Sequence, residues 1–294
     1  MTHSIVRGMR GLGDNIYQRA WVRQMGPVFL DTPWPELFED LPGVQFVRPQ
    51  TSLRTQAKNI GRQRRRWETP AMHGMRSYRI RYGDLGIVPG MTRSFGFSPG
   101  VFDLPDFGPP PVVGPYAIVR PVTVRKEWRA DARNPLPEYI SEAARQLRSM
   151  GVKVVSVADL QQGEEWLVGD LPPADIQFHR GELSVTELLS LFQHAGAVVG
   201  GIGWIVPAAV ATTTPTWVVC GGQGGFNAPE RITDPCMDLD NITFAVPDNF
   251  CRCTKKEHHC DKRISGYADR FESWARQLDL VAGAGHGMAP GTPD

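Results

Sequence analysis

The chain has 294 residues, 41% of them apolar, and a formal net charge of +1, which suits a soluble globular protein of one large or two ordinary domains. No apolar run reaches the roughly 18 residues of a membrane span and no charged-then-apolar leader follows Met1, so the sequence predicts a cytoplasmic protein with neither a span nor a secretion signal. Five cysteines, an odd number, argue against a fully paired secreted framework, and the near-zero charge hides a basic first part, since residues 1–110 hold 15 Lys and Arg against 9 Asp and Glu.

In chain order, Ser4 to Val6 predicts a short strand that runs into a loop with Gly8, Gly11 and Gly13. Ile16, Ala20, Val22 and Met25 give the following helix an apolar side. Asp14 stands where that helix begins, and as an N-cap it would stabilise the helix by about 1 kcal/mol. Val28 to Leu30 predicts a second strand, and PELFEDLPGVQFV a short helix followed by a strand at Gln45 to Val47, which repeats the βαβ rhythm. From Pro49 to Pro110 the pattern is irregular. It holds a basic helix, then SYRIRYGDLGIVPG, then the Pro- and Gly-rich FSPGVFDLPDFGPPP, which reads as the connection between two domains, 1–110 and 111–264. The densest charge is Arg62, Arg64, Arg65 and Arg66, with Arg54 and Lys58 before it, Arg76, Arg79 and Arg81 after it, and Trp67 and Tyr78 interleaved. Such a run is either a solvated helix face or a surface for a phosphorylated partner, a nucleic-acid backbone or a phosphate-decorated glycan.

After Pro111 the α/β alternation restarts: YAIVR as a strand, Pro137 to Met150 as a helix, VKVVSV as a strand, and a brief strand at Ile176 to Phe178. The loop RPVTVRKEW leaves the carboxyl end of the first of these strands, so Arg120, Arg125 and Lys126 are candidates to reach a diphosphate in the cleft, with ordinary surface cations as the other reading. Ser184 to Gly222 is the best-defined stretch. Val185, Leu188, Leu189 and Phe192 repeat at helical spacing, Ala197 to Gly200 is a buried strand, Gly200, Gly201 and Gly203 make a turn, and Trp204 to Ala211 is a small-residue helix with Pro207 in its first turn. Thr216 to Cys220 is the next strand, ending in Gly221 and Gly222. An αβαβ unit with short connections implies a parallel sheet and a helix N-terminus at a strand's carboxyl end, where anions bind.

GELSVTELLSLFQHAGAVVGG, with its glycine turn, small-residue helix and TPT strand, resembles the nucleotide-sugar segment of the heptosyltransferase-like glycosyltransferases. IVRGMRGLGD is similar to their first strand and GxGD loop. The resemblance implies a GT-B-like α/β fold of two Rossmann-like domains facing a central cleft. It also implies that Asp14 serves as catalytic base for an acceptor hydroxyl, with Gly11 and Gly13 on the acceptor side, and that Lys126, then Arg125, stabilises the leaving diphosphate without a metal. Gly201, Gly203, Trp204, Gly222, Asn227 and Arg231 complete the expected donor contacts. The chain departs from the family at Gly201–Val206, where an acidic residue and a His are usual. The basic stretch, with Arg64, Arg65, Arg66 and Trp67, points to a hydroxymethyl-pyrimidine base in DNA as acceptor, the kind some bacteriophage GT-B enzymes modify, with a surface glycan as the alternative.

Cys236, Cys251, Cys253 and Cys260, with His258 or His259 as a substitute ligand, suit a structural zinc, although the spacing matches no standard finger and free thiols remain the alternative. Ser265 to Leu280 reads as an amphipathic helix, part of a 265–282 segment crossing back over the first domain, and the tail from Gly283 as disordered. Two other classes share these features: a nucleotide-binding oxidoreductase, for which GMRGLGD lacks the GxGxxG spacing and only Asp31 could take the ribose, and a non-catalytic binder of sugar nucleotides or nucleic acid.

Overall fold

The computed structural model describes residues 4–71, 73–82, 85–278 and 280. The first sheet is built from β1 (Ser4–Arg7), β2 (Val28–Asp31), β3 (Val44–Val47) and β4 (Arg76–Arg79), all parallel in the order β3-β2-β1-β4. Its helices are α1 (Leu12–Val22), α2 (Arg54–Arg62) and α3 (Ile87–Phe95). α1 buries Ile16, Ala20 and Trp21 against this sheet, and Trp21 stacks on Phe95 with ring centroids 5.6 Å apart. Sequence periodicity missed α3 because Pro89 and Gly90 interrupt it. Pro89 falls in the first turn, where its missing N–H costs nothing, and Gly90 has to be glycine because a Cβ would overlap the backbone of Tyr82.

Two expectations for the first half change. The basic run is not one helix face: α2 stops at Arg62, and Arg64–Arg66 lie in the extended segment behind it. The Pro- and Gly-rich connection is strapped down rather than loose. Asp103 pairs with the buried Arg19 (3.0 Å), which also holds Asp40 (2.6 Å), while Trp21 Nε1 donates to Phe97 O (2.9 Å) and Gly100 N–H to Ala20 O (2.8 Å).

The second sheet has the order β12-β11-β10-β5-β7-β9, again all parallel, from β5 (Ala117–Val119), β7 (Val154–Val157), β9 (Ile176–Phe178), β10 (Ala197–Gly201), β11 (Thr216–Val219) and β12 (Ile242–Ala245). Residues of β5, β7, β10 and β11 are buried throughout, which is why they read as continuous apolar runs. α4 (Pro137–Ser149), α5 (Val185–Gln193), α6 (Ile205–Thr212), the single turns α7 (Gly224–Asn227) and α8 (Pro229–Ile232), and α9 (Tyr267–Gln277) complete the domain. α5 starts at a capping box in which Ser184 Oγ accepts from Glu187 N–H and Glu187 accepts from Ser184 N–H, a device worth about 1 kcal/mol.

RPVTVRKEW is only partly a loop. β6 (Thr123–Arg125) pairs antiparallel with β8 (Glu165–Leu167), and Lys126–Trp128 follows as one tight turn. The C-terminal helix is a second difference: α9, in the described part of the 265–282 segment, packs on the second domain. Its Tyr267 and Phe271 are buried in the second domain's own core against Trp217 and Tyr139, with Tyr139 and Tyr267 rings 4.4 Å apart, so its apolar side is satisfied where it starts. Residues 281–294, including the expected disordered tail, lie outside the described residues. No described helix is long and apolar enough to cross a membrane. In each sheet the chain leaves a central strand to one side and returns on the other, between β1 and β4 and between β5 and β10. Ligands bind outside the carboxyl ends of strands at such switch points, and those are the loops Gly8–Gly13, Arg120 and Ile202–Trp204.

Candidate active site between the two sheets

A cavity of about 580 Å³ separates the two domains and is lined by those loops. The loop after β1 is pre-built by two buried amides of α1. Asn15 Nδ2 donates to Met9 O and Gly11 O, both at 2.8 Å, Thr32 Oγ1 donates to Asn15 Oδ1 at 2.8 Å, and Met9 N–H donates to Gln18 Oε1 at 3.1 Å. A Cβ on Gly8 would overlap Gln18, so that glycine is needed for close approach. Trp34 Nε1 (2.9 Å) and Gln56 Nε2 (2.8 Å) both donate to Arg10 O and close the outer side.

Asp14 is the third residue of α1, not its N-cap; Gly11 holds that position. The carboxylate folds back towards the Gly11 N–H and faces the cavity. Burial pushes its pKa up to about 6, against the opposing pull of the Gly11 N–H and the positive charge of Arg133. Around it, burial and the Asp14 charge push the phenols of Tyr17 and Tyr82 upward, and Tyr17 OH donates to Ile232 O at 2.7 Å. At Gly13 the two domains are packed tightly, because a Cβ there would stand 2.9 Å from Pro207 Cγ and 3.1 Å from Trp204 Cα. The amino end of α6 thus abuts the amino end of α1. Trp204 caps α6 without a side-chain hydrogen bond, leaving backbone N–H groups for a ligand.

Seven cationic and five acidic side chains line the cavity. Most are paired. Glu165, buried, accepts from Thr123 Oγ1 (2.9 Å), Arg125 Nε (2.7 Å) and Arg54 (2.9 Å), and Lys58 pairs with Asp159 (3.1 Å). Arg120 and Arg133 make no side-chain hydrogen bond or ion pair among the described residues, and Arg133 Nε is buried without a partner. Burial and the neighbouring Arg125 push the Arg120 pKa down to about 10; the same two causes lower Arg133, with Tyr82 and Asp14 opposing. Both guanidiniums stay charged at neutral pH and present desolvated, unsatisfied donors, the condition that favours an anionic ligand.

Of the residues expected from sequence, Gly11, Gly13, Asp14, Arg120, Arg125, Gly203, Trp204, Asn227 and Arg231 line the cavity. Lys126 does not: its side chain is 69% exposed and sits 3.6 Å from Glu164. Arg64, Arg65, Arg66 and Trp67 also stand outside the lining. Arg65 pairs with Glu39 and lies over the Phe46 ring at 4.5 Å and the Trp67 ring at 5.9 Å. Gly201 and Gly222 serve packing, since a Cβ on Gly201 would reach Pro135 at 3.1 Å and one on Gly222 would overlap Cys260. Arg133 was missed in the sequence because RADARNP carries no motif. The signal available was its position: the same strand-end connection that nominated Arg120.

Behind the second-domain wall, Cys251, Cys253, His258 and Cys260 bring one ligand atom each within 4.8 Å of one another. The cysteine Sγ atoms of 253 and 260 are 3.7 Å apart, and His258 Nδ1 lies 3.5 Å from Cys251 Sγ and 3.4 Å from Cys260 Sγ. Metal–sulfur bonds of about 2.3 Å and metal–nitrogen bonds of about 2.1 Å in a tetrahedron require edges of about 3.8 and 3.6 Å, close to these three distances, so the set is able to close on a Cys₃His ion. Cys236 is exposed outside this cluster, its backbone N–H donating to Asp234 Oδ1 at 3.1 Å, and it is His258 rather than His259 that offers the fourth ligand atom.

No protein-family model and no curated protein matches the chain. Its fold is matched by solved structures at low identity. TibC, an iron-containing dodecameric glycosyltransferase from enterotoxigenic E. coli H10407, aligns over 96% of this chain and 73% of its own, with 17% identity and a TM-score of 0.57. The E. coli ADP-heptose lipopolysaccharide heptosyltransferase II aligns over 95% and 98%, with 14% identity and a TM-score of 0.55. A family 9 glycosyl transferase from Veillonella parvula aligns over 94% and 97%, with 10% identity and a TM-score of 0.52. The chain therefore has the GT-B fold of the heptosyltransferases, two Rossmann-like domains with parallel sheets facing a cleft.

Proposed function

We propose that the protein is an inverting glycosyltransferase that moves a sugar from a nucleotide-sugar donor to a hydroxyl acceptor. The observation that carries this is a buried carboxylate, Asp14, facing two unpaired, desolvated guanidiniums, Arg120 and Arg133, across the cleft of a GT-B fold. In the reaction the acceptor oxygen attacks the anomeric carbon while its proton passes to Asp14. The bond from that carbon to the diphosphate oxygen breaks, its electron pair leaves with the diphosphate, and Arg120, Arg133 and the amino end of α6 stabilise the charge that grows there. A pKa near 6 leaves Asp14 ionised at neutral pH and makes it a stronger base than a solvated aspartate. The neighbour TibC has also been solved with ADP-D-β-D-heptose, which supports a nucleotide-sugar donor here.

The Cys₃His cluster, with all four positions taken by protein ligands, suits a structural ion, zinc or iron, that is closed to substrate; we propose that the transfer step runs on Asp14 and the arginines. For the acceptor, Arg54, Lys58, Arg62 and Arg65 are engaged by protein partners, which removes much of the support for a hydroxymethyl-pyrimidine in DNA and favours a hydroxyl of a glycan or protein. The test is transfer from UDP-, ADP- and GDP-sugars, detected as release of nucleoside diphosphate and as a sugar-sized mass gain on the acceptor, with hydroxymethylated DNA among the acceptors. Donor turnover that persists at the original rate in Asp14→Asn would sink the mechanism.

A further inference from the structure

Two loops form the donor-side wall of the cavity. One, residues 130–134, carries Arg133; the other, residues 221–227, carries Phe226, 44% exposed, and Asn227. Neither loop belongs to a long helix or a sheet, yet both are bonded to the Cys₃His knuckle. Ala132 N–H donates to Lys256 O (2.9 Å), inside the knuckle, and Ala132 O accepts from Gly222 N–H (2.7 Å). Lys262 Nζ donates to Asp131 O (2.8 Å). Gly224 N–H donates to Cys251 O (2.8 Å) and Gly225 N–H to Cys253 O (3.1 Å), so the carbonyls of two ligand residues hold the second loop. The contacts leave no room for side chains: a Cβ on Gly221 would overlap the carbonyls of Arg133 and Asn134, and one on Gly222 would overlap Cys260.

From this geometry we infer that the knuckle is a positioning clamp for the donor subsite. A metal held by Cys251, Cys253, His258 and Cys260 would lock the two loops together and so hold Arg133 at the diphosphate position. Arg133 makes no ion pair among the described residues, so its loop's anchorage is what holds it. A tetrahedral ion ties four residues within a ten-residue segment, and without it four thiol and imidazole groups lose their common partner and the segment its shape. The inference rests on the proposed donor site, and it assigns the metal cluster a task there: control of nucleoside-diphosphate affinity.

The experiment compares protein purified under reducing conditions, the same protein stripped by chelation, and the stripped protein reloaded with zinc or ferrous iron. Three quantities are read: metal content, amide hydrogen exchange, and affinity for UDP, ADP, GDP and inorganic pyrophosphate. About one metal per chain is expected. Stripping should speed exchange at Ala132, Gly222, Gly224 and Gly225 while β10 and β11 stay protected, and should weaken binding by about tenfold or more, as expected when a binding group shifts by about an ångström; reloading should restore both. Metal-free purified protein, unchanged exchange after stripping, or faster exchange with unchanged affinity would each overturn the clamp. If stripping melts the whole domain, Lys262→Met decides, because it keeps all four ligands and removes one tie: faster exchange at Ala132 with weaker pyrophosphate binding supports the clamp, and no change in either overturns it. Failure of every nucleotide and pyrophosphate to bind the metal-loaded protein would reject the glycosyltransferase reading, and the exchange comparison would still decide whether the knuckle holds the loops.

Discussion

The cations of the first domain and those of the second make opposite use of the same chemistry. Arg54 reaches across to Glu165 and Asp159, Lys58 to Asp159, Arg62 to the carbonyls of Gly181 and Leu183, and Arg65 to Glu39. These belong to the densest charge in the sequence; Arg54, Lys58 and Arg62 tie the first domain to the second, and Arg65 with Glu39 is a tie within the first. Arg120 and Arg133, outside that dense run, make no side-chain hydrogen bond or ion pair among the described residues, and Arg133 Nε is buried without a partner. Local charge density therefore locates the interdomain ties, whereas an anion site is located by desolvation without a partner.

Variants can break this contrast. Asp14→Asn has the largest expected effect, a fall of about 10²–10⁴-fold in kcat with donor affinity kept, measured by nucleoside diphosphate release. Arg133→Met and Arg120→Met should each lower kcat about 10²-fold and weaken nucleoside diphosphate binding if, as proposed, both stabilise the leaving group. Arg65→Met should leave both unchanged, and a loss there as large as at Arg133 would erase the distinction between the two regions.

Glu165→Leu tests the paired side. It leaves Arg54 and Arg125 facing each other without their shared acceptor and should destabilise the protein by about 3 kcal/mol in denaturant unfolding. The next effect is one of pH. The folded pKa of Asp14, about 6, lies above its ordinary 3.8, so the native state holds a proton there that the unfolded state has lost. Between pH 4 and 6 stability accordingly falls as pH rises, and above 6 the carboxylate is a standing cost. Asp14→Asn should therefore be more stable than the parent at pH 7.5, by up to about 3 kcal/mol, with the gain gone by pH 4, while the parent's activity is lost as pH drops through 6. The smallest effect belongs to Arg64→Gln with Arg66→Gln. Both residues are exposed outside the cavity, so stability should stay within about 0.5 kcal/mol and transfer should not change.

Much of this molecule was readable in one dimension. The strands of the second sheet are short apolar runs that remain buried on both faces, and the stretch from Ser184 to Gly222 combines a capping box, a glycine turn and a strand whose rules are local. The local pattern at Asp14, a glycine loop running into a helix start, suggested only an N-cap, a position Gly11 takes; its nomination as base came from the resemblance of IVRGMRGLGD to the heptosyltransferase-like loop. Lys126 could not be rejected locally, because β6 pairs with a strand forty residues later, and that pairing turns Arg125 onto Glu165 and leaves Lys126 in solvent.

Sequence alone thus determined the alternation of strands and helices and the parallel sheets it implies, because backbone preference and apolar period act over a few residues, while Asp14 was nominated as base by family resemblance. Only the tertiary structure decided which cations are free. Pairing and desolvation depend on residues from distant segments meeting, such as Arg54 with Glu165 or the Cys251–Cys260 knuckle with the loop that carries Arg133.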